Sequence, residues 1–124
     1  MSASILIVDD SPSMLMSIGI TLGATSLTIH KAESGEAALA RLQEGLKAAM
    51  MLTDLNMGAM SGIDLVKEAR KLPGYAFMPI VLLTTESSQD IRNLAKSAGA
   101  TGWLTKPVET EALLRIVRKL VPSA

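Results

Sequence analysis

Three stretches of the chain are apolar without alternation: Ser4-Ile5-Leu6-Ile7-Val8, Ala48-Ala49-Met50-Met51-Leu52-Thr53 and Pro79-Ile80-Val81-Leu82-Leu83. Runs of strand length with no polar beat suit strands buried on both faces, as in a parallel sheet. Each run delivers a polar group at its carboxyl end: Asp9-Asp10, Asp54 and Thr84 respectively. Two other segments, Leu27-Thr28-Ile29-His30-Lys31 and about residues 101–105, do alternate, and so predict edge strands with one wet face. The second of these runs into Lys106.

Between the strands, apolar spacing switches to the helical period. Ser11-Pro12 offers an N-cap with proline at the first helical position, and the helix is expected to run to about Ala24 with Met14, Leu15, Ile18 and Leu22 inward. A second helix opens at Ser34 or Gly35, uses Ala38, Leu39 and Leu42, and stops at Gly45. The third spans about residues 62–72 and ends at Pro73-Gly74. Ser87-Ser88-Gln89-Asp90 carries capping-box spacing ahead of Ile91, Leu94, Ala95 and Ala98, with Gly99 as the stop. Leu113, Ile116, Val117 and Leu120 mark a last amphipathic helix. Five strands alternating with five helices predict a single flavodoxin-like, doubly wound α/β domain over residues 1–124, with parallel strand order 2-1-3-4-5.

Composition narrows the field of functions. Twelve basic and twelve acidic side chains give zero formal charge, which argues against direct nucleic-acid binding or attachment to an anionic membrane. No cysteine is present, so disulfide and thiolate chemistry are excluded. The longest uncharged stretch, Ser11 to His30, is rich in Ser, Thr and Gly and makes a poor membrane span. The expectation is a soluble, cytoplasmic protein.

The predicted topology brings the strand ends together. A buried charge is costly, so Asp54 belongs just past the end of its strand, at the rim where open α/β sheets bind ligands. Three carboxylates there repel one another unless a cation joins them. Mg²⁺ is the natural ion, because it accepts hard oxygen ligands and tolerates few protein donors beside phosphate oxygens. Asp54, alone on the central strand, is the best nucleophile toward phosphorus, with Asp9 and Asp10 better used on the metal. Lys106 can pair with a phosphoryl oxygen and Thr84 can donate to one.

This order of residues resembles the receiver domains of two-component response regulators, above all the CheY-like single-domain regulators of chemotaxis. The resemblance spans the whole chain. It rests on Ile5-Leu6-Ile7-Val8-Asp9-Asp10, on Asp54-Leu55-Asn56-Met57 with Gly62, on Thr84, and on Ala98-Gly99-Ala100-Thr101-Gly102-Trp103 with Lys106-Pro107. It implies phosphorylation of Asp54 by a histidine kinase, with Mg²⁺ held by Asp9 or Asp10, by Asp54 and by the Asn56 backbone carbonyl. It also implies a switch in which Thr84 moves toward the phosphoryl group and Trp103 turns inward, and a cis Lys106-Pro107 bond. Asn56 and Glu86 match the positions that tune hydrolysis of the phosphoryl group. Two positions depart from the pattern. Gly58 stands where the family usually has proline, which implies a looser loop and puts Mg²⁺ affinity in question. Thr85 stands where a small residue is usual, which implies narrower access to Asp54.

The same resemblance assigns partners. A histidine kinase or phosphotransfer protein is expected to dock near the first helix, which carries no charge between Asp10 and Lys31 and leaves Met16 and Ile20 off its core stripe. An effector protein is expected on the fourth helix, fifth strand and fifth helix, at a face built from Arg92, Lys96, Trp103, Arg115, Arg118 and Lys119. His30 is expected at the surface of an edge strand with no catalytic role. No output domain follows residue 121, so the expected action is a phosphorylation-dependent change of affinity for a partner, in chemotaxis or motility. The alternatives are a metal-dependent aspartyl-phosphate phosphatase, whose signature needs an Asp where this chain has Asn56, and a receiver excised from a larger regulator. A flavodoxin-like cofactor binder would need a Ser/Thr/Gly-rich phosphate loop after the first strand, which this chain lacks, and Asp9-Asp10 would repel the FMN phosphate.

Overall fold

In a computed structural model, residues 3–85 and 88–124 are described. The elements run β1 (Ser4–Val8), α1 (Pro12–Leu22), β2 (Thr28–Ala32), α2 (Gly35–Gln43), β3 (Met50–Asp54), α3 (Gly62–Lys71), β4 (Ile80–Thr84), α4 (Gln89–Ala98), β5 (Gly102–Thr105) and α5 (Thr110–Leu120). All strand pairs are parallel, in the order β2-β1-β3-β4-β5. The expected topology and both edge strands are therefore present. Among the described residues, no helix is long and apolar enough to cross a membrane.

Alternation along the buried strands divides the core in two. Ile5, Ile7, Met50, Leu52, Val81 and Leu83 face α1 and α5, where they meet Leu15, Ile18, Leu22, Leu113 and Val117. Leu6, Val8, Met51, Ile80 and Leu82 face the opposite layer, where α2, α3 and α4 contribute Ala38, Leu65, Val66, Ala69 and Ala95. Each fully buried Leu, Ile or Met contributes about 1.5–3 kcal/mol. Both faces of β1, β3 and β4 are filled this way, so those strands have little freedom to slide, and their carboxyl ends are held in register.

Local caps set the helices. Ser11 caps α1 by accepting from the Met14 N–H, and Pro12 follows at the first turn. Ser61 and Asp64 form a reciprocal capping box at α3. Four expectations need correction. The first helix ends at Leu22 rather than Ala24, because Gly23 already closes it with its N–H on the Gly19 and Ile20 carbonyls. The cap of α4 is Ser88, which accepts from the Ile91 N–H; Ser87 lies outside the described residues. Leu94 is half-exposed rather than inward, since Ile91, Ala95 and Ala98 occupy the stripe of α4 that meets the sheet. Arg118 does not join the α4 face, because its Nη2 donates to the Ala24 carbonyl beyond α1.

Candidate functional site

The carboxyl ends of the central strands converge as expected. Asp54 is the last residue of β3 and is 6% exposed; Asp9 follows β1 and is 1% exposed; Asp10 beside it faces solvent. One carboxylate oxygen from each of the three can be chosen so that all lie within 4.8 Å of one another. Lys106 reaches in from beyond β5, with Nζ 2.9 Å from Asp54 Oδ1 and 3.4 Å from Asp9 Oδ2. Its backbone N–H donates to the Thr84 carbonyl, which ties the β5 end to the β4 end, and the Lys106-Pro107 bond is cis.

The backbone orients the two buried acids. Asp9 Oδ1 accepts from the Ser11 N–H at 2.9 Å, so the residue that caps α1 also aims the first carboxylate. Asp54 Oδ1 accepts from the Leu55 N–H at 3.0 Å as well as from Lys106. Among the described residues, both contacts to the Asp54 carboxylate fall on Oδ1 and none on Oδ2. Gly62 makes this packing possible. A Cβ at that position would lie 2.3 Å from the Asp54 carbonyl oxygen and 3.0 Å from the Leu55 Cα. Its N–H instead donates to the Leu55 carbonyl at 2.8 Å.

Burial and charge oppose each other here. Burial is the main influence on Asp9 and raises its pKa, the Asp54 charge raises it further, and the Ser11 N–H and Lys106 pull it back only in part. For Lys106, burial lowers the pKa, but the hydrogen bond and charge of Asp54, together with those of Asp9, outweigh it and leave the pKa raised. Among the described residues, Lys106 is the one cation paired with the two buried acids, and the exposed Asp10 adds a third carboxylate beside them. A bare site of that kind favours additional positive charge.

The donors fit Mg²⁺. They are hard oxygens, two of the three acids are buried and held by backbone N–H groups, and one oxygen of each lies within 4.8 Å of the others. Asn56 lies two residues beyond Asp54 in the β3–α3 loop with its side chain exposed. Gly58 in the same loop has φ +66°. Proline, fixed near −65°, could not adopt that conformation, so the glycine changes the shape of the loop and does more than loosen it. Thr85 is exposed just past β4, and Glu86 lies outside the described residues.

Thr84 is buried at the end of β4, one residue past Leu83, which pairs with Asp54 across the β3–β4 ladder. Trp103 is half-buried on β5 and packs against the α2–α3–α4 side of the core. The Arg92 guanidinium carbon sits 4.9 Å from the centre of its ring. Sequence reasoning placed Arg92 only on a charged face; its stacking depends on how α4 lies against β5, which no local pattern announces. Lys96, Arg115 and Lys119 are exposed, and Met16 and Ile20 on α1 are 62% and 73% exposed. His30 is half-buried, and because arginine has no acceptor, Arg41 Nη2 must donate to its Nδ1 at 2.8 Å.

Fold and site together define a doubly wound α/β domain whose rim concentrates acids around one lysine. The comparisons give that class a family. The chain belongs to the response regulator receiver domain family, whose model matches residues 5–118, and is thus a receiver domain of two-component signalling with CheY-like relatives. It is 31% identical to the protein PilH of Pseudomonas aeruginosa over 96% of this chain and 98% of that protein. It is 33% identical to the chemotaxis protein CheY1 of Helicobacter pylori (strain 26695), covering 88% of this chain and 89% of that one. Against the transcriptional regulatory protein GlrR of Escherichia coli identity is 34%, and there the chain spans only 25% of the relative's length. The crystallised chemotaxis protein CheY4 of Vibrio cholerae superposes with TM-score 0.92 at 37% identity, over 97% of this chain and 99% of that one. The receiver domain of the sensor histidine kinase PA1611 from Pseudomonas aeruginosa, solved with a magnesium ion in its active-site cleft, superposes with TM-score 0.87 at 25% identity, over 99% of this chain and 100% of that one.

Proposed function

We propose that this receiver is a phosphorylation-dependent switch in which Asp54 accepts a phosphoryl group from a phosphohistidine of a kinase or phosphotransfer protein. One observation carries the reading: a buried carboxylate at the end of the central strand lies among Asp9, Asp10 and Lys106, with no donor to its second oxygen among the described residues. Asp54 Oδ2 forms the new O–P bond as the P–N bond of a phosphohistidine protonated on its other ring nitrogen breaks, leaving an aspartyl phosphate and a neutral imidazole. Lys106 then faces a phosphoryl group with more negative charge than the carboxylate it pairs with now. Asp9, Asp10, Asp54 and the Asn56 carbonyl would hold Mg²⁺, which when bound would supply positive charge against the incoming phosphoryl oxygens. Thr84, buried at the end of β4, offers its hydroxyl to the new group.

The output is a change in affinity for a protein partner rather than turnover of a substrate. The exposed, uncharged Met16 and Ile20 surface of α1 suits the phosphodonor, and the face of α4, β5 and α5 with Trp103, Lys96 and Arg115 suits the effector. The names of its relatives, which include CheY and PilH proteins, favour chemotaxis or motility control. The test is incubation with acetyl phosphate and Mg²⁺, followed by intact mass and by fluorescence of Trp103, the only tryptophan. Uptake of one phosphoryl group, lost slowly and abolished in Asp54→Asn, is the expected result. Rapid continuous hydrolysis would mark a phosphatase, and uptake that survives Asp54→Asn would refute the assignment.

A further inference from the structure

Trp103 is placed by more than its strand. It pairs with Leu82 across the β4–β5 ladder, and Thr84, two residues along β4, shares the Leu82 side of the sheet. Thr84, Leu82, Ala95, Arg92 and Trp103 together line a crevice of about 10 Å³, room for about one water. An indole cannot enter a space of that size, so Trp103 can move inward only if Thr84 or α4 gives way. Arg92 lines the crevice with Trp103. Its guanidinium lies over the ring, its Nε is buried with no hydrogen-bond partner, and among the described residues no carboxylate holds it. Among the described residues, the aromatic face is the partner that the guanidinium meets.

We propose that Arg92 is a positioning residue. By stacking on Trp103, it holds the indole in its half-exposed resting place and sets how much phosphoryl group at Asp54 is needed to move it. The inference rests on Asp54 as the acceptor. A planar guanidinium covers a ring face better than an ammonium does, so the contact is specific to arginine. Any inward movement of Trp103 must give the contact up. The apparent affinity of the site is lowered by the fraction of molecules held in the resting arrangement, and removing the clamp restores it. A cation–π contact of this exposure corresponds to a two- to five-fold change, roughly.

The test uses the full chain with Arg92→Ala and Arg92→Lys. In the absence of metal and phosphate, time-resolved anisotropy should show greater local mobility of Trp103 in Arg92→Ala, with Arg92→Lys between it and the wild type. In Mg²⁺, the beryllium fluoride concentration that half-saturates the Trp103 response should fall roughly two- to five-fold in Arg92→Ala and less in Arg92→Lys. A merely attractive role for the Arg92 charge predicts the reverse, weaker binding of the anionic mimic. Unchanged mobility, or a midpoint that stays level or rises, overturns the proposal. A wild-type protein blind to beryllium fluoride would sink the acceptor reading and the threshold with it, while the mobility measurement would still decide whether the clamp exists.

Discussion

Replacing Asp9 by asparagine removes one buried charge while keeping the shape of the side chain and the oxygen that accepts from Ser11. Its effect follows from competing charges. At an effective dielectric of 20, the Asp54 carboxylate within 4.8 Å costs Asp9 about 3.5 kcal/mol. On the same scale, Lys106 at 3.4 Å returns about 5 kcal/mol. The difference, about 1.5 kcal/mol in favour, is smaller than the several kcal/mol of desolvation that a buried carboxylate incurs. Burial is also the largest influence on the raised Asp9 pKa, so the charged form is net unfavourable in the metal-free fold. Asp9→Asn should therefore be more stable than wild type in EDTA, by about 1 kcal/mol or ~4 °C in Tm.

Saturating Mg²⁺ should reverse that order. An ion at one hundred times its Kd stabilises the wild type by about 2.7 kcal/mol, whereas the variant has lost a ligand charge and gains far less. The pH dependence gives a second check. The folded pKa of Asp9 lies above its unfolded value, so the stability it contributes is complete below the ordinary carboxylate range and is lost as pH rises through the folded value. The advantage of Asp9→Asn in EDTA should accordingly widen from about pH 4 toward neutrality. Differential scanning calorimetry with and without Mg²⁺ reads both effects. A variant less stable than wild type without metal, or one that gains as much from Mg²⁺, would refute the reasoning.

Other consequences follow from the same geometry. Lys106→Met strands Asp9 and Asp54 without a cation and should lower metal-free stability at neutral pH by about 2–3 kcal/mol, toward the low side for a buried pair because the lysine is 19% exposed; urea denaturation would show it, and an unchanged midpoint would argue that the pair contributes nothing. That loss should shrink at alkaline pH, because the stability tied to the raised Lys106 pKa is present below the ordinary lysine range and disappears as pH climbs through the folded value. Gly62→Ala drives a Cβ into the Asp54 carbonyl and should cost about 1–3 kcal/mol while slowing uptake from acetyl phosphate; a variant with wild-type stability and uptake would show that the β3 end tolerates displacement.

Much of this molecule is legible in its sequence. Unbroken apolar runs require strands with two covered faces, and a carboxylate that cannot be buried mid-sheet must sit at a strand end. Asp9, Asp54, Thr84 and Lys106 are accordingly at the rim, on the strands that their order implies. Serine and glycine punctuation likewise marks most helix ends, since caps satisfy backbone groups locally. Contacts between distant segments are another matter. Lys106 and Asp9 are 97 residues apart in the chain, and only the parallel register brings that ammonium onto two acids at once. Leu94 satisfies the helical period yet faces solvent, because the rotation of α4 is set by how Ile91, Ala95 and Ala98 fill the space against the sheet. Arg92 reads as one more surface charge until that same rotation lays it on Trp103, and Arg118 turns to Ala24 because α5 packs beside α1. The sequence by itself determined which elements form and which chemistry their ends carry, because propensity, capping and burial act over a few residues. Tertiary structure alone decided which charge meets which, because a pair's energy depends on a distance that packing, not sequence spacing, sets.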